Sequence, residues 1–432
     1  MPLRPLRICL LTYRGNPRSG GQGVYVRLLS QALRDLGHHV DVWSGQPYPE
    51  LVEGVGLKQL PSLDLWNEQA LLRLPSLREL SDPINLFEYA HTKLGAFREP
   101  LSFCQRVARE FRKNGYARYY DVVHDNQSLG PGLLQLMAAV PVVATIHHPI
   151  TVDLRIARDN VKSKSQRFGL ERWYSFLEPQ LKVSRRLDRI LTVSEASRQD
   201  LEREYGVTAS RMRVVGNGIN LDVFQPQRDV ERKSSELITT LSSDSPLKGF
   251  RFLLEAVARL RSKRPDLRLK VIGQPGHETG TAERVRDLGL GSVVHFTGRV
   301  PTESIASAYA EATLAVVPSV YEGFGFPAGE AMACEVPVVS SRGGALPEVV
   351  GEDGRCGMLV PPKNSEALAS AIDQLLDQPE RRVEMGRAGR ARVLEHFTWR
   401  RAAERTVDVY HEVIAERAHR ARHAQQAGAQ AC

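Results

Sequence analysis

Short apolar runs typical of buried strands alternate with amphipathic helical segments along nearly the whole chain. This alternation predicts parallel sheets that helices cover on both faces, which makes the fold class α/β. The runs form two series. The first comprises residues 7–13, 40–44, 122–124, 142–147, 190–193 and 214–215. The second comprises residues 237–241, 269–272, 293–296, 314–317, 336–340 and 357–360.

Two series in a chain of 432 residues predict two domains, each a doubly wound, Rossmann-like sheet. We place the first domain at 1–220 and the second at 237–397. Between them, residues 221–236 contain Pro226 and many charges, as expected of a linker. Ligands of such sheets bind at the carboxyl ends of the strands, so two facing domains would enclose a cleft.

Two further segments do not fit the series. Residues 47–111 show no clear periodicity, which is typical either of a functional loop or of an insertion that only packs on the domain. Residues 398–422 form a long polar helix, which we expect to return to the N-terminal domain. We expect the tail after Ala424 to be disordered.

The composition excludes several classes of protein. No apolar run approaches the roughly 20 residues of a membrane span, and the first apolar run leads into a glycine loop without a signal-peptide cleavage site. The five cysteines are scattered, which predicts neither a disulfide framework nor a zinc site and fits the cytoplasm. A net charge of +8 favours anionic partners, but no nucleic-acid recognition motif is present.

The sequence V-P-S-V-Y-E-G-F-G-F-P-A-G-E-A-M-A at residues 317–333 is the most specific local pattern. A buried strand leads into a glycine-rich turn, and Pro327 opens a helix with Glu330 in its first turn. The free N–H groups of the turn, Gly323 to Phe326, favour phosphate, whereas Glu322 and Glu330 can accept hydrogen bonds from sugar hydroxyls. Phosphate donors beside hydroxyl acceptors suit a nucleotide-sugar.

This pattern resembles the signature of retaining nucleotide-sugar glycosyltransferases of family four, which have the GT-B fold. Further segments are similar to the family, and the likeness runs from about Arg7 to about Ala415. They are A-C-E-V-P-V-V-S-S-R-G-G-A-L-P-E-V-V (333–350), V-V-G-N-G-I-N (214–220), L-T-V-S-E-A-S-R (191–198) and V-V-A-T-I-H-H-P (142–149). The resemblance implies an acceptor-binding first domain and a donor-binding second domain.

The resemblance also implies roles for individual residues of the second domain. Glu322 would contact the hexose, Glu330 the ribose, and Lys248 the donor diphosphate, whose charge grows in the transition state. The family has an arginine five residues before the lysine, but Ser243 and Asp244 occupy this region. Either another cation compensates, with Arg299, Arg251, Arg14 and Arg18 as candidates, or phosphate binding relies more on backbone amides and Lys248.

In the first domain, the glycine-rich loop after strand one resembles the family's loop over the diphosphate and acceptor. Gly20, Gly21 and Gly23 would supply flexibility and free amides at a helix N-terminus. His147 matches the family's histidine near the reacting sugar carbon, and His148 follows it. His124 ends another strand of the same sheet. With Arg14, His124 and His148 are acceptor-side candidates, although a histidine at a strand end is more often structural.

No metal is expected, because the chain has no D-x-D motif and its histidines lack metal-ligand spacing. Protein cations would then take the role that a metal has in other transferases. Residues 155–189 are rich in Lys and Arg with interleaved aromatics, which predicts either a solvated helix face or contact with an anionic membrane on its cytoplasmic side.

The expected activity is transfer of a hexose from a nucleoside diphosphate to an acceptor hydroxyl, with retention and without a metal cofactor. The acceptor could be a glycan, a lipid or a small molecule. The alternatives are a nucleotide-sugar epimerase or phosphorylase, a non-catalytic nucleotide-sugar binding protein, and a basic nucleic-acid binder.

Overall fold

The computed structural model describes residues 4–16, 21–67, 73–161, 163–241, 243–276 and 280–430. The chain divides into two compact units. The first comprises the chain up to Val193, then Arg198–Val215 and the chain from Ala402 onwards. The second comprises Ser194–Ser197 and Gly216–Arg401.

The first unit contains a parallel sheet with helices on its faces. Its strands are β1 (Arg7–Thr12), β2 (His39–Ser44), β3 (Gly56–Gln59), β4 (Val122–Asn126), β5 (Val142–Ile146), β6 (Arg189–Thr192) and β7 (Met212–Val214). Its helices are α1 (Gly21–Asp35), α2 (Leu77–Leu80), α3 (Pro83–Lys93), α4 (Glu99–Asn114), α5 (Gly132–Met137), α6 (Ile150–Asn160), α7 (Lys164–Trp173) and α8 (Leu177–Ser184). Helix α9 (Glu195–Asp200) follows β6 and passes from the second unit into the first.

The strand order of this sheet is β3-β2-β1-β4-β5-β6-β7, with every pair parallel. The order reverses between β1 and β4, and the carboxyl ends of strands at such a switch point carry the ligand in doubly wound folds. Apolar side chains from the strands and from α4, α5 and α8 form the core, among them Trp43, Phe103 and Ile146.

The interpretation of residues 47–111 as irregular is wrong, because this segment contributes β3, α2, α3 and α4. Strand β3 lacks an apolar pattern since most of its side chains are exposed. Helix α4 begins with Glu99 and has Pro100 at its second position, where proline is tolerated. A buried face that includes Phe103 and Val107 binds α4 to the core.

The second unit repeats this design. Its strands are β8 (Glu236–Leu241), β9 (Arg268–Gly273), β10 (Val294–Phe296), β11 (Leu314–Val317), β12 (Val338–Ser341) and β13 (Gly357–Val360), in the order β10-β9-β8-β11-β12-β13. Its helices are α10 (Phe250–Leu260), α11 (Thr281–Asp287), α12 (Thr302–Glu311), α13 (Phe326–Ala333), α14 (Leu346–Val350), α15 (Ser365–Leu376) and α16 (Pro379–His396). The order reverses between β8 and β11, so a ligand is expected where these two strands end.

The last helix, α17 (Trp399–Gln430), begins in the second unit and from Ala402 belongs to the first. Within the first unit, its Tyr410 is fully buried, and Arg189 forms ion pairs with its Glu412 and Glu416. The helix continues to Gln430, so the expectation of disorder after Ala424 is wrong for these residues, which include good helix formers such as alanine and glutamine. None of the helices in the described part of the chain has both the length and the apolar character needed to cross a bilayer.

Candidate active site

The turn between β11 and α13 carries the two glutamates of the sequence pattern. Helix α13 begins at Phe326, one residue before Pro327, with Gly325 as its N-cap at φ 107°. A side chain at Gly325 would also come within 2.8 Å of Leu346, so both the conformation and the space require glycine. Glu330 is the fifth residue of the helix, and the prediction that it lies in the first turn is therefore wrong.

The structure brings Lys248 and Glu322 together. Lys248 ends a 3₁₀ turn, Pro246–Lys248, which follows β8, and Glu322 follows β11. The Lys248 ammonium donates to Glu322 Oε1 at 2.8 Å, and the hydroxyl of Ser319 donates to the same oxygen at 2.8 Å. The two side chains keep 21% and 12% of their exposure. A cation and a carboxylate thus lie at the switch point, still open to solvent.

Glu330 is different, because no described side chain donates a hydrogen bond to its carboxylate. Burial raises the pKa of Glu330 to about 7. The hydroxyl of Tyr309, a buried neighbour, donates instead to the carbonyl of Pro327 at 3.2 Å. A partly buried carboxylate of this kind gains by accepting hydrogen bonds from a ligand.

Backbone contacts hold the turn between the two glutamates. The hydroxyls of Ser194 and Ser197 donate to the carbonyl of Gly323 at 2.7 and 3.3 Å. The N–H groups of Glu195 and Ala196 donate to the two carboxylate oxygens of Glu348, each at 2.8 Å. We call Ser194, Ser197 and Glu348 the Gly323 clamp. Glu348 contributes by holding the first residues of α9, the helix that follows Ser194 and contains Ser197.

Sequence reasoning assigned no role to the clamp residues, although S-E-A-S and L-P-E stand inside the segments that resemble the family. The spacing of Ser194 and Ser197 is a helix-start signal, and Ser194 Oγ accepts from the Ser197 N–H at 3.1 Å. That signal predicts a helix cap. It does not indicate that the two serine hydroxyls also donate to the carbonyl of Gly323, in the turn after β11.

The aromatic residues of the turn serve packing. Phe324 is buried, and its ring lies edge-on to Phe326 at 5.2 Å and to Phe397 at 5.7 Å. Only the backbone of Phe324 is therefore available for the predicted donor contact, while Phe326 keeps part of its ring exposed.

Arg299 is exposed and follows β10 at the edge of the sheet. Three strand spacings separate β10 from β11, or roughly 14 Å. That Arg299 compensates for the missing arginine stays a prediction. In the region where the family has its arginine, the Asp244 carboxylate accepts from the N–H of Gly276 at 2.8 Å, so Asp244 supports a loop.

In the first unit, His147 follows β5 and contacts residues at the end of β4. Its Nε2 lies 2.7 Å from Asn126 Oδ1, and its N–H donates to Gln127 Oε1 at 2.8 Å. The ring of Tyr25, from α1, meets the imidazole edge to face at 4.6 Å. Burial is the main cause that lowers the pKa of His147 to about 3, so the ring is neutral at physiological pH.

His124 is a core residue in this structure, not an acceptor-side one. It is 1% exposed, and its ring nitrogens contact Tyr410 Oη at 2.6 Å and Thr145 Oγ1 at 2.7 Å. Burial lowers its pKa to about 3. The residue lies inside β4, two positions before the strand ends, so the prediction that it ends the strand is wrong.

The remaining candidates of the first unit have partners of their own. His148 Nε2 lies 2.8 Å from the Asp153 carboxylate. Arg14 donates through Nε to the buried Glu99 at 2.9 Å, and burial raises the pKa of Glu99 to about 7.

The glycine loop is described in part. Gly20 and Arg18 lie outside the described residues, and α1 begins at Gly21. Gly23 is buried, and a side chain there would come within 2.0 Å of the carbonyl oxygen of Asn16. The loop backbone thus packs directly on the first turn of α1, which only glycine allows at this position.

Comparison with known proteins adds an independent line of evidence. The family model described as "Glycosyl transferases group 1" matches residues 224–392, and "Glycosyltransferase Family 4" matches residues 19–223. The chain is 43% identical to an MMP alpha-(1->4)-mannosyltransferase of Mycolicibacterium hassiacum, over 95% of this chain and 99% of that protein. It is 30% identical to a D-inositol 3-phosphate glycosyltransferase of Kribbella flavida, over 94% and 96%.

Among solved structures, sucrose-phosphate synthase from Thermosynechococcus elongatus matches with a TM-score of 0.73 at 26% identity, over 95% of this chain and all of that one. The two Rossmann-like units match glycosyltransferases of the GT-B fold. The chain belongs to glycosyltransferase family four, as its motifs predicted.

Proposed function

We propose that the protein transfers a hexose, mannose in the first instance, from a nucleoside diphosphate to a hydroxyl of a saccharide acceptor, with retention at the anomeric carbon. The observation that carries the proposal is the switch-point arrangement of Lys248, Glu322 and Glu330 around the start of α13. The choice of mannose rests on the mannosyltransferase that shares 43% of its residues with this chain.

Each group around the turn matches one part of such a donor. The Lys248 ammonium and the N–H groups that precede α13 suit the diphosphate. Glu322 would accept hydrogen bonds from hexose hydroxyls, and Glu330 from the two hydroxyls of the ribose. Donor binding would redistribute the Lys248–Glu322 ion pair, because the diphosphate competes for the ammonium while the hexose offers donors to the carboxylate.

The proposed reaction needs no carboxylate as general base. The bond from the anomeric carbon to the diphosphate oxygen breaks, and the acceptor oxygen bonds to that carbon on the same face. The acceptor proton passes to the leaving phosphate oxygen. The protein then acts by orienting both substrates and by stabilising the charge that grows on the diphosphate, chiefly through Lys248.

The test is a panel of GDP-, UDP- and ADP-hexoses with mannosides and inositol phosphate as acceptors, without added phosphate. We expect free nucleoside diphosphate and glycosylated product in equal amounts, with the donor's anomeric configuration kept in the product by NMR. Activity should persist in EDTA, since the proposal invokes no metal.

The other outcomes separate the alternatives. An isomerised donor without product would indicate an epimerase, and a dependence on inorganic phosphate would indicate a phosphorylase. Donor binding by thermal shift without turnover on any acceptor would indicate a binding protein. A gel shift at moderate salt tests nucleic-acid binding. An inverted product would contradict the retaining mechanism alone.

A further inference from the structure

The end of β4 forms a strained loop that contacts His147. Gln127 and Leu129 have positive φ values of 54° and 50°, which non-glycine residues rarely adopt. The loop is held in place, because Asp125 Oδ2 accepts from the N–H groups of Ser128 and Leu129 at 2.8 and 2.9 Å. Strain that surrounding contacts enforce is common at functional sites.

Gln127 ties this loop to the residues after β5. Its Oε1 accepts from the N–H of His147, and its Nε2 donates to the carbonyl of His148 at 2.9 Å. Because a backbone N–H only donates and a carbonyl only accepts, these two bonds determine which way the amide points. The backbone of His147 is therefore fixed relative to β4.

The orientation of Asn126 follows from the same reasoning. Its Nδ2 donates to the backbone carbonyl of Gln22 at 3.2 Å, and that carbonyl can only accept. The opposite amide orientation would set two oxygens against each other. Oδ1 of Asn126 therefore faces His147 Nε2, at 2.7 Å.

An amide oxygen can only accept, so the proton of the neutral imidazole must lie on Nε2. We propose that Asn126 is a positioning residue of the active site, which holds His147 as the Nε2–H tautomer and leaves Nδ1 as the accepting atom of the ring. Its importance for turnover rests on the proposed function, together with the expectation from the family resemblance that His147 lies near the reacting sugar carbon. An accepting nitrogen suits a sugar hydroxyl and cannot protonate a leaving group.

The tautomer can be measured without any activity. In full-length protein labelled with ¹⁵N-histidine, correlations between ring nitrogens and ring carbon-bound protons identify the tautomer of each histidine, and His147→Gln assigns the signal. We expect Nε2–H for His147 in the wild-type protein. An Nδ1–H ring, or a cationic one at pH 7.5, would overturn the proposal even if no variant could be purified.

Two variants of Asn126 distinguish an effect on the tautomer of His147 from a purely structural effect on the fold. Asn126→Leu removes the acceptor, so we expect a tautomer mixture and a kcat lowered about 10-fold, the equivalent of one lost hydrogen bond, with the donor KM nearly unchanged. Asn126→Asp keeps an accepting oxygen and should retain the Nε2–H signal, even if the lost bond to Gln22 lowers Tm. An unchanged tautomer in Asn126→Leu would contradict the proposal.

Asn114→Leu is the matched control, since Asn114 lies exposed at the end of α4 and, among the described residues, its amide contacts Glu110 of the same helix. It should change neither the spectrum nor kcat. If the wild-type protein has the Nε2–H ring but no transferase activity, the proposed function fails and the tautomer assignment stands.

Discussion

The switch points of the two sheets differ in the charged groups that a ligand could still satisfy. In the first unit, His124, Asn126 and Gln127 bond to neighbours in the described structure, and the nearby rings are neutral. In the second unit, Glu330 has no hydrogen-bond donor among the described residues, and Lys248 and Glu322 have mainly each other. The first network is preorganised, whereas the second contains charges that a ligand can still satisfy.

The largest effect is expected at the Lys248–Glu322 pair of the second unit. Glu322→Ala should lower transfer by about 100-fold or more, because hydrogen bonds to the reacting hexose are lost where charge develops. Nucleotide should still bind, since the variant frees the Lys248 ammonium for the diphosphate. Turnover assays and calorimetry with the nucleoside diphosphate measure the two effects separately.

Glu352→Ala serves as the control for this experiment, because Glu352 is an exposed partner of Arg342 in the same unit. It should behave like the wild-type protein. Normal turnover by Glu322→Ala would remove the role that we give to this carboxylate.

The pH dependence of donor binding tests whether Glu330 of the second unit is a charge that a ligand can satisfy. Its pKa, raised to about 7, means that the fold favours the neutral acid, so its contribution to stability is complete below the ordinary pKa near 4.5 and is lost as pH rises through 7. A ribose that donates to the carboxylate favours the charged form. We therefore expect donor affinity to increase from pH 6 to pH 8.

Glu330→Gln should abolish this pH dependence and raise the donor KM about 10-fold or more, since hydrogen bonds to a charged acceptor are worth ~1.5–3 kcal/mol. Thermal unfolding of the two proteins at pH 5 and pH 8 provides the matching measurement. If the variant kept the wild-type pH profile, the titrating group would lie elsewhere.

A smaller effect is expected from the Gly323 clamp, which supports the turn but contacts no donor atom in our proposal. Glu348→Ala removes the acceptor of two N–H groups and should cost about 1 kcal/mol, as for a lost helix cap. We expect a donor KM several-fold higher with kcat changed less. An equal loss in kcat at saturating donor would instead give Glu348 a part in the chemistry.

Much of this arrangement follows from local sequence, and the exceptions have physical causes. The strand ends that carry Glu322 and His147 were predictable because apolar runs and glycine turns are local signals. Helix α4 and the Gly323 clamp were not, since a buried helix face and a bond to a distant carbonyl depend on tertiary neighbours. The proposed tautomer of His147 follows from a bond between Asn126, at the end of β4, and Gln22 on α1, which are far apart in sequence.

The smallest effect on turnover is expected at His124, which the sequence placed beside His147 and the structure places in the core. His124→Gln loses the geometry of two buried hydrogen bonds and should lower the free energy of unfolding by ~1–3 kcal/mol. The kinetics of the folded fraction should nevertheless stay near wild type. His147→Gln should show the reverse, a lower kcat with a smaller change in Tm. An equal fall of kcat in both variants would mean that the bonds from His124 to Thr145 and Tyr410 help to position the reacting groups. The hydrogen-bond network that orients His147 would then extend into the core of the first unit.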